Sequence, residues 1–456
     1  MHKILTSHGH RIRRLDIVVV PDVNILRELG NTQITDSSRL ECLTITYEGM
    51  ASSFCHDGEF FLLGQKVLPI AALAIIPISG RFPVTYFPNL THLYLALTIA
   101  VPFSWSFLDF LHNTPKLEFL LFFLQSGSLV DTGFANDMST ATQVPVTLDR
   151  LRSLVIKHGY LSTIAVFLER LSIPETALVQ IHGVNVACPG MPWLPRLSTV
   201  RSVERLSIMT EHTSMQMVAE GPSSGLWLQG RMFQYGGHDY DSGTPNWSAW
   251  LSELHTCLPL AQVTHLDLYI GMHHSIVPNL LQHMVRLEEF SIRLRNQDER
   301  LGGNPECSVA RAVYHLLCRE DALFCPSLRV FNIDVDAARA DAMPDLYLDE
   351  LKAMLLYRQR IGRPIHAVCI QPFAGQRVTG SKWDSDVILA GPLERLAGRI
   401  EDLKPEVDNV KTLRLGHLSF QYDSARWGLW DIDGAEKYWN REWAIQYVTP
   451  WRRTWM

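Results

Sequence analysis

Apolar residues recur along this chain in a fixed spacing, L-x-x-L-x-L, with Ile, Val or Phe admitted at the apolar places. In the first half the spacing is met at Ile12-Leu15-Ile17, Leu40-Leu43-Ile45, Ile70-Leu73-Ile75, Leu90-Leu93-Leu95, Leu117-Leu120-Phe122 and Leu151-Leu154-Ile156. It returns at Val203-Leu206-Ile208, Val263-Leu266-Leu268, Leu287-Phe290-Ile292, Leu328-Phe331-Ile333, Ile365-Val368-Ile370 and Val410-Leu413-Leu415, with a degenerate site around Val179-Ile181. The last two apolar residues of each site are two apart, and in a strand residues two apart share a face. Each site therefore predicts a short strand with one apolar side.

Between the sites lie segments with a different period. SFLDFLHNTP precedes Leu117, TIAVFLERL precedes Val179, and WSAWLSELHTCL precedes Val263. IVPNLLQHM precedes Leu287, VARAVYHLLCRE precedes Leu328, LDELKAMLLYRQRI precedes Ile365 and LERLAGRIEDL precedes Val410. Their apolar residues fall at i, i+3, i+4 and i+7, which predicts amphipathic helices. The order is helix, turn, strand, repeated. One such unit cannot bury its apolar face alone, but stacked neighbours make a continuous core. The predicted fold is an α/β leucine-rich-repeat solenoid over residues 1–420: a curved parallel sheet lines the concave face, with helices and loops outside. An open doubly wound sheet uses the same alternation, but it seldom exceeds about ten strands. It also expects a Gly-rich first turn, which is missing.

Three stretches depart from the rhythm. Residues 209–246 read as an insertion with a degenerate strand at Leu226 and Leu228 and a projecting loop. Residues 334–350 are acidic and follow a strand. Residues 421–456 hold six of the twelve tryptophans, at 427, 430, 439, 443, 451 and 455, and no repeat. A solenoid end exposes an apolar cross-section, so this tail is expected to cap the last repeat; the alternative is a peptide arm for a partner.

In each strand the residues alternating with the inward pair line the concave side. The candidate partner-binding residues are accordingly His92, Tyr94, Phe119, Leu121, Phe123, Lys157, Arg205, His265, Asp267, Tyr269, Glu289 and Arg293. Phe119, Leu121 and Phe123 stand apart, because three large apolar residues on one strand face should not be left in water. Such clusters mark interaction sites; the competing reading is that the tail or the 209–246 insertion folds over them.

The block Phe87-Pro88-Asn89-Leu90-Thr91-His92-Leu93-Tyr94-Leu95 resembles a repeat strand of the F-box/leucine-rich proteins expanded in mushroom-forming fungi. His8-Gly9-His10-Arg11-Ile12-Arg13-Arg14-Leu15-Asp16-Ile17 is similar to the point where their repeats begin, and LERLSIPETALVQI, residues 168–181, has the same character. The resemblance implies substrate recognition by a component of a cullin ubiquitin ligase, in which an F-box docks on a Skp-type adaptor. No F-box-like segment precedes the repeats here, so only the recognition half is carried over.

Composition narrows the remaining classes. The chain has 456 residues, is 47% hydrophobic and 19% charged, and carries a formal net charge of −6. A nucleic-acid partner would leave a basic footprint, and none is expected. Eight cysteines are scattered without C-x-x-C spacing, which fits a reduced cytoplasmic or nuclear protein. The longest apolar stretch, 67–80, is too short to span a bilayer and contains Pro69 and Pro77. The expected partner is a protein bound by a monomer, with no membrane, metal or cofactor.

Four motifs hint at chemistry. Gly221-Pro222-Ser223-Ser224-Gly225 matches G-x-S-x-G, but that elbow needs a strand before the serine and a helix after it. Gly375 to Lys382 is close to a phosphate loop, with Ser381 and Lys382 exchanged. Asp239-Tyr240-Asp241-Ser242-Gly243 lacks the later bidentate Glu of a calcium loop. His273-His274 and His8/His10 have no partners at ligand spacing. The chain is therefore expected not to be an enzyme.

Overall fold

The computed structural model describes residues 8–19, 38–47, 61–78, 82–97, 105–124, 145–186, 194–211, 214–232, 247–270, 276–294, 309–319, 324–336, 347–373, 412–415, 430, 432–435 and 437–438. They form an α/β protein whose strands are almost all parallel, in two compact units.

Unit 1 is drawn from residues 1–199, 223–233 and 430–450. Its main strands are β1 (Arg14–Val19), β2 (Cys42–Tyr47), β3 (Ala72–Ile78), β4 (His92–Leu97), β5 (Phe119–Leu124), β7 (Ser153–Lys157), β9 (Leu178–Val186) and β12 (Gly225–Met232), side by side in that order. All these pairings are parallel. Two short strands, β6 (Val146–Thr147) and β8 (Leu171–Ser172), pair with each other. Helices α1 (Trp105–His112) and α2 (Leu161–Glu169) connect successive strands, as parallel pairs require.

Register explains why the sequence spacing is so regular. Leu15, Leu43, Leu73, Leu93, Leu120, Leu154, Val179 and Leu226 stand in one row across unit 1. Ile17, Ile45, Ile75, Leu95, Phe122, Ile156, Ile181 and Leu228 form the next row on the same face. From Leu43 onward every member is buried. The helices close this face: Phe107 of α1 meets Phe122 edge-on with centroids 4.9 Å apart, and Phe167 of α2 does so at 5.5 Å. Each such buried side chain contributes about 1.5–3 kcal/mol relative to exposure.

Unit 2 is drawn from residues 200–222, 234–429 and 451–456. It holds β11 (Ser214–Glu220), β10 (Arg205–Glu211), β13 (His265–Tyr269), β14 (Glu289–Leu294), β15 (Val330–Asp336), β16 (Ala367–Phe373) and β17 (Thr412–Leu415), again side by side. Only the β10–β11 hairpin is antiparallel. Its helices are α3 (Trp247–Ser252), α4 (Val277–Leu281), α5 (Val309–Leu317) and α6 (Leu348–Arg360). Leu206, Leu266, Phe290, Phe331 and Val368 make one buried row, and Ile208, Leu268, Ile292, Ile333 and Ile370 the next. Tyr314 of α5 packs edge-on against Phe331 at 6.0 Å.

At the end of α6, the fully buried Arg358 ties the helix to two neighbouring turns. It donates from Nε to the Arg363 carbonyl at 3.1 Å, and from Nη1 and Nη2 to the carbonyls of Phe324 and Cys325 at 3.0 Å each. Burial lowers its pKa. Five fixed donors let one guanidinium serve several carbonyls at once.

All thirteen predicted strand sites are strands, and six of the seven predicted helices are helices. The seventh, preceding Val410, lies outside the described residues. Within the stretch 209–246 the strand expected at Leu226 and Leu228 is present, and a second strand not expected there precedes it. Residues 214–220 are β11, and Leu226 and Leu228 belong to a full strand, β12, in register with Val179 and Ile181. Residues 233–246 lie outside the described residues. The β11 pattern SMQMVAE places Met and Gln where the repeat would show Leu, which hid the strand.

Candidate protein-recognition surfaces

Strand alternation turns a second set of residues to the face opposite the helices. The candidate residues all lie on this face, but the two units treat it differently.

In unit 2 the face is polar and half-open. One row runs Arg205, His265, Glu289, Val330 and Ala367, and the next runs Ser207, Asp267, Ser291, Asn332 and Cys369. None of these ten residues is buried. Cross-strand contacts hold them in place. His265 Nε2 lies 3.6 Å from Glu289 Oε2, and Asn332 donates from Nδ2 to Glu289 Oε1 at 2.8 Å and to Ser291 Oγ at 3.2 Å. The Thr264 hydroxyl, 3.1 Å from the Glu204 carbonyl, sits 2.9 Å from His265 Nδ1 and fixes the ring. In the third row Arg293 Nη2 meets Asp334 Oδ2 at 3.3 Å, and its guanidinium lies over Tyr269 with 5.9 Å to the centroid. Tyr269 is buried beneath it.

In unit 1 the same face is open at edge strand β1 and largely buried from β2 onward. Its first row is Arg14, Cys42, Ala72, His92, Phe119, Ser153 and Leu178, and its second is Asp16, Thr44, Ala74, Tyr94, Leu121, Val155, Gln180 and Trp227. Phe119 is 7% exposed, Leu121 5% and His92 4%. The cover is the C-terminal segment 430–438. Trp430, 4% exposed, meets Trp227 edge-on at 5.4 Å. Tyr438 meets His92 edge-on at 4.9 Å and packs on Cys42, Ala72 and Ala74. His92 Nε2 is 2.8 Å from the Gly434 carbonyl, and Phe119 lies directly below Gly434. Arg152 lies over the Phe119 ring at 5.3 Å.

Of the two readings of Phe119 to Phe123, an open interaction face or a face covered by the tail or the 209–246 insertion, the structure has Phe119 beneath Gly434 of the tail and Leu121 buried. The described part of the tail packs on the strands of unit 1 rather than capping the last repeat. Tryptophans 427, 439, 443, 451 and 455 lie outside the described residues.

Electrostatics follow burial. His92 has its pKa lowered, chiefly by desolvation, so it is neutral and donates its Nε2 proton to the Gly434 carbonyl. Lys157 is pushed down to about 8 by desolvation. Its neighbour across the ladder, His182, is driven to about 3 by burial and by Lys157 and His158. Neutral His182 donates from Nε2 to Gln180 Oε1 at 3.1 Å, and its Nδ1 is buried without a hydrogen-bond partner. Phe123 packs edge-on against His158 at 5.0 Å, and burial raises the pKa of Tyr94.

Sequence reasoning overlooked Trp227, Gln180, His182, Gly434 and Tyr438. One signal was present: Ala72, Ala74, Val155 and Leu121 make strands apolar on both faces, the pattern of a sheet covered twice.

The motifs with possible chemistry fare as follows. Ser223 is exposed in a bend followed directly by strand β12, not by the helix an elbow needs. The phosphate-loop near-match, residues 239–243 and His273-His274 lie outside the described residues. Among the described residues no three His, Cys, Asp or Glu side chains gather as a metal site, and no helix is long and apolar enough to cross a membrane. No protein-family model matches the chain, and neither the curated proteins nor the solved structures contain a match to it.

Proposed function

We propose that the chain is a leucine-rich-repeat solenoid acting as a non-catalytic protein-recognition module, with its partner bound on the outward face of unit 2. The observation that carries this reading is the contrast between that unit's two faces. The helix side carries two buried apolar rows, whereas across β13 to β15 the outward side carries a half-exposed lattice of His265, Glu289, Asn332, Arg293 and Asp334. Side chains fixed by neighbours on rigid strands lose little freedom when a partner arrives. Arg and Tyr, which dominate protein interfaces, are paired there at Arg293 and Tyr269. The polar rows argue for a polar partner surface with its own paired charges.

By the resemblance noted above, the bound protein would be a substrate presented for ubiquitylation. Affinity capture from lysate with wild-type chain and an Arg293→Glu variant tests the face. A protein retained by the wild type and by a Val18→Ala control, but lost by Arg293→Glu, supports recognition there; equal capture by all three opposes it. Pull-down with a purified Skp-type adaptor tests the ligase role separately. No binding to this chain leaves the ligase role without support and favours the reading as a stand-alone recognition scaffold.

A further inference from the structure

Unit 1 carries a second surface of different chemistry, and it goes beyond the polar face just proposed. His92 is the key residue. The sequence Thr-His-Leu-x-Leu occurs twice, at 91–95 and 264–268. In both copies the threonine hydroxyl fixes the imidazole, at 2.8 Å from His92 Nδ1 and 2.9 Å from His265 Nδ1. The other ring nitrogen is served differently. His265 Nε2 faces Glu289 on the adjacent strand, but the residue in that register beside His92 is Phe119, which stacks on it at 4.5 Å. An aromatic side chain offers no acceptor in the ring plane. His92 is therefore oriented from within the sheet to donate a hydrogen bond to something outside it.

In this structure that acceptor is a main-chain carbonyl, Gly434 O. The segment carrying it adds no strand to the sheet. Its described residues 432–435 and 437–438 make turn bonds from Ala435 N–H to Ile432 O at 3.1 Å and from Lys437 N–H to Gly434 O at 3.2 Å. Gly434 has φ +88°, a conformation that strains other residues. Asp433, Gly434 and Lys437 are exposed. Attachment rests on Trp430 against Trp227, on the His92 bond, on Tyr438 over Cys42, Ala72 and Ala74, and on Arg14 Nη1 donating to the Tyr438 carbonyl at 3.4 Å. Two aromatic anchors and one carbonyl, at positions i, i+4 and i+8, make a short-peptide binding mode.

We propose that segment 430–438 is an internal ligand that masks a peptide-binding face. In the unmasked state that face takes a partner-protein segment of the same chemistry: aromatic, three residues, a turn-forming Gly whose carbonyl accepts from His92, three residues, aromatic. The tail competes from within the same molecule, so a partner segment must displace it.

The test uses the full chain with Trp430→Ala and Tyr438→Ala together, which removes the anchors and leaves the sheet face intact. A fluorescein-labelled peptide of residues 428–440 is titrated and followed by anisotropy. The masked wild type should bind it at least about tenfold more weakly than the double variant does, because the tail competes in cis. Adding His92→Ala to the double variant should abolish binding. Equal binding to wild type and double variant, or none to a double variant that unfolds cooperatively, overturns the proposal. If the double variant does not fold, hydrogen exchange on wild type decides. A displaceable segment exchanges the amides of Ala435 and Lys437 through a sub-global opening, well before those of β4 and β5. Exchange of all these amides in one global step overturns the proposal.

Discussion

Single residues set the cost of each buried polar group in this protein. Arg358 donates to three carbonyls, two of them in buried hydrogen bonds, and hydrogen bonds to charged groups contribute about 1.5–3 kcal/mol each. Arg358→Met leaves all three unsatisfied and should lower unfolding free energy by at least about 3 kcal/mol in urea denaturation. Arg358→Lys should not restore it, because an ammonium cannot reach three divergent acceptors. His182 acts through pH. Its pKa is about 3 in the fold, against 6.5 for the free side chain. Below pH 6.5 the unfolded chain takes up a proton that the native state refuses, so stability is fully present above 6.5 and falls as pH drops toward 3. His92, also lowered, adds to the same slope. His182→Gln keeps a polar group beside Gln180 and should flatten the midpoint-against-pH curve between pH 6.5 and 4; an unchanged slope would mean that His182 is not neutral in the fold.

At the scale of elements, strand face decides the outcome of a mutation more than residue type does. Phe119 and Val18 are both outward apolar residues. Phe119 on β5 lies under the 430–438 segment at 7% exposure, while Val18 on edge strand β1 is 55% exposed. Phe119→Ala should therefore cost about 3–5 kcal/mol, and Val18→Ala no more than about 0.5 kcal/mol. Comparable losses in denaturant titrations would mean that the Phe119 face is as wet as the edge. The strands themselves were legible in the sequence because inward pairs such as Leu93-Leu95 and Phe290-Ile292 repeat with the period of the pleat. Helices were legible for the same reason at a period of 3.6. Strand β11 was not, since Met215, Met217 and Ala219 alternate with Gln216 and Val218 and carry no leucine signature.

Across the whole molecule, sequence spacing fixes what lies next to what along a sheet but not what returns from far away. The roof over His92 comes from a carbonyl 342 residues later, and no local pattern encodes such a contact. That is why the twelve outward candidates, alike in the sequence, part in the structure: His92, Phe119, Leu121 and Tyr269 are buried, Tyr94, Phe123, Lys157, His265, Asp267, Glu289 and Arg293 are half-buried, and Arg205 is exposed. Only cross-strand partners with matched charge hinted at the half-buried residues of unit 2: His265 beside Glu289, and Arg293 beside Asp334. A repeat framework leaves such outward residues free to vary around a constant core, so the proposed recognition would reside in them and not in the fold. The most direct test of recognition on this face is calorimetric titration of a captured partner into wild type, Arg293→Ala and Asn332→Ala. The account predicts at least about a tenfold weaker Kd for Arg293→Ala, or 1.4 kcal/mol, and a smaller loss for Asn332→Ala, with unfolding midpoints unchanged. Equal affinity across all three proteins would contradict it.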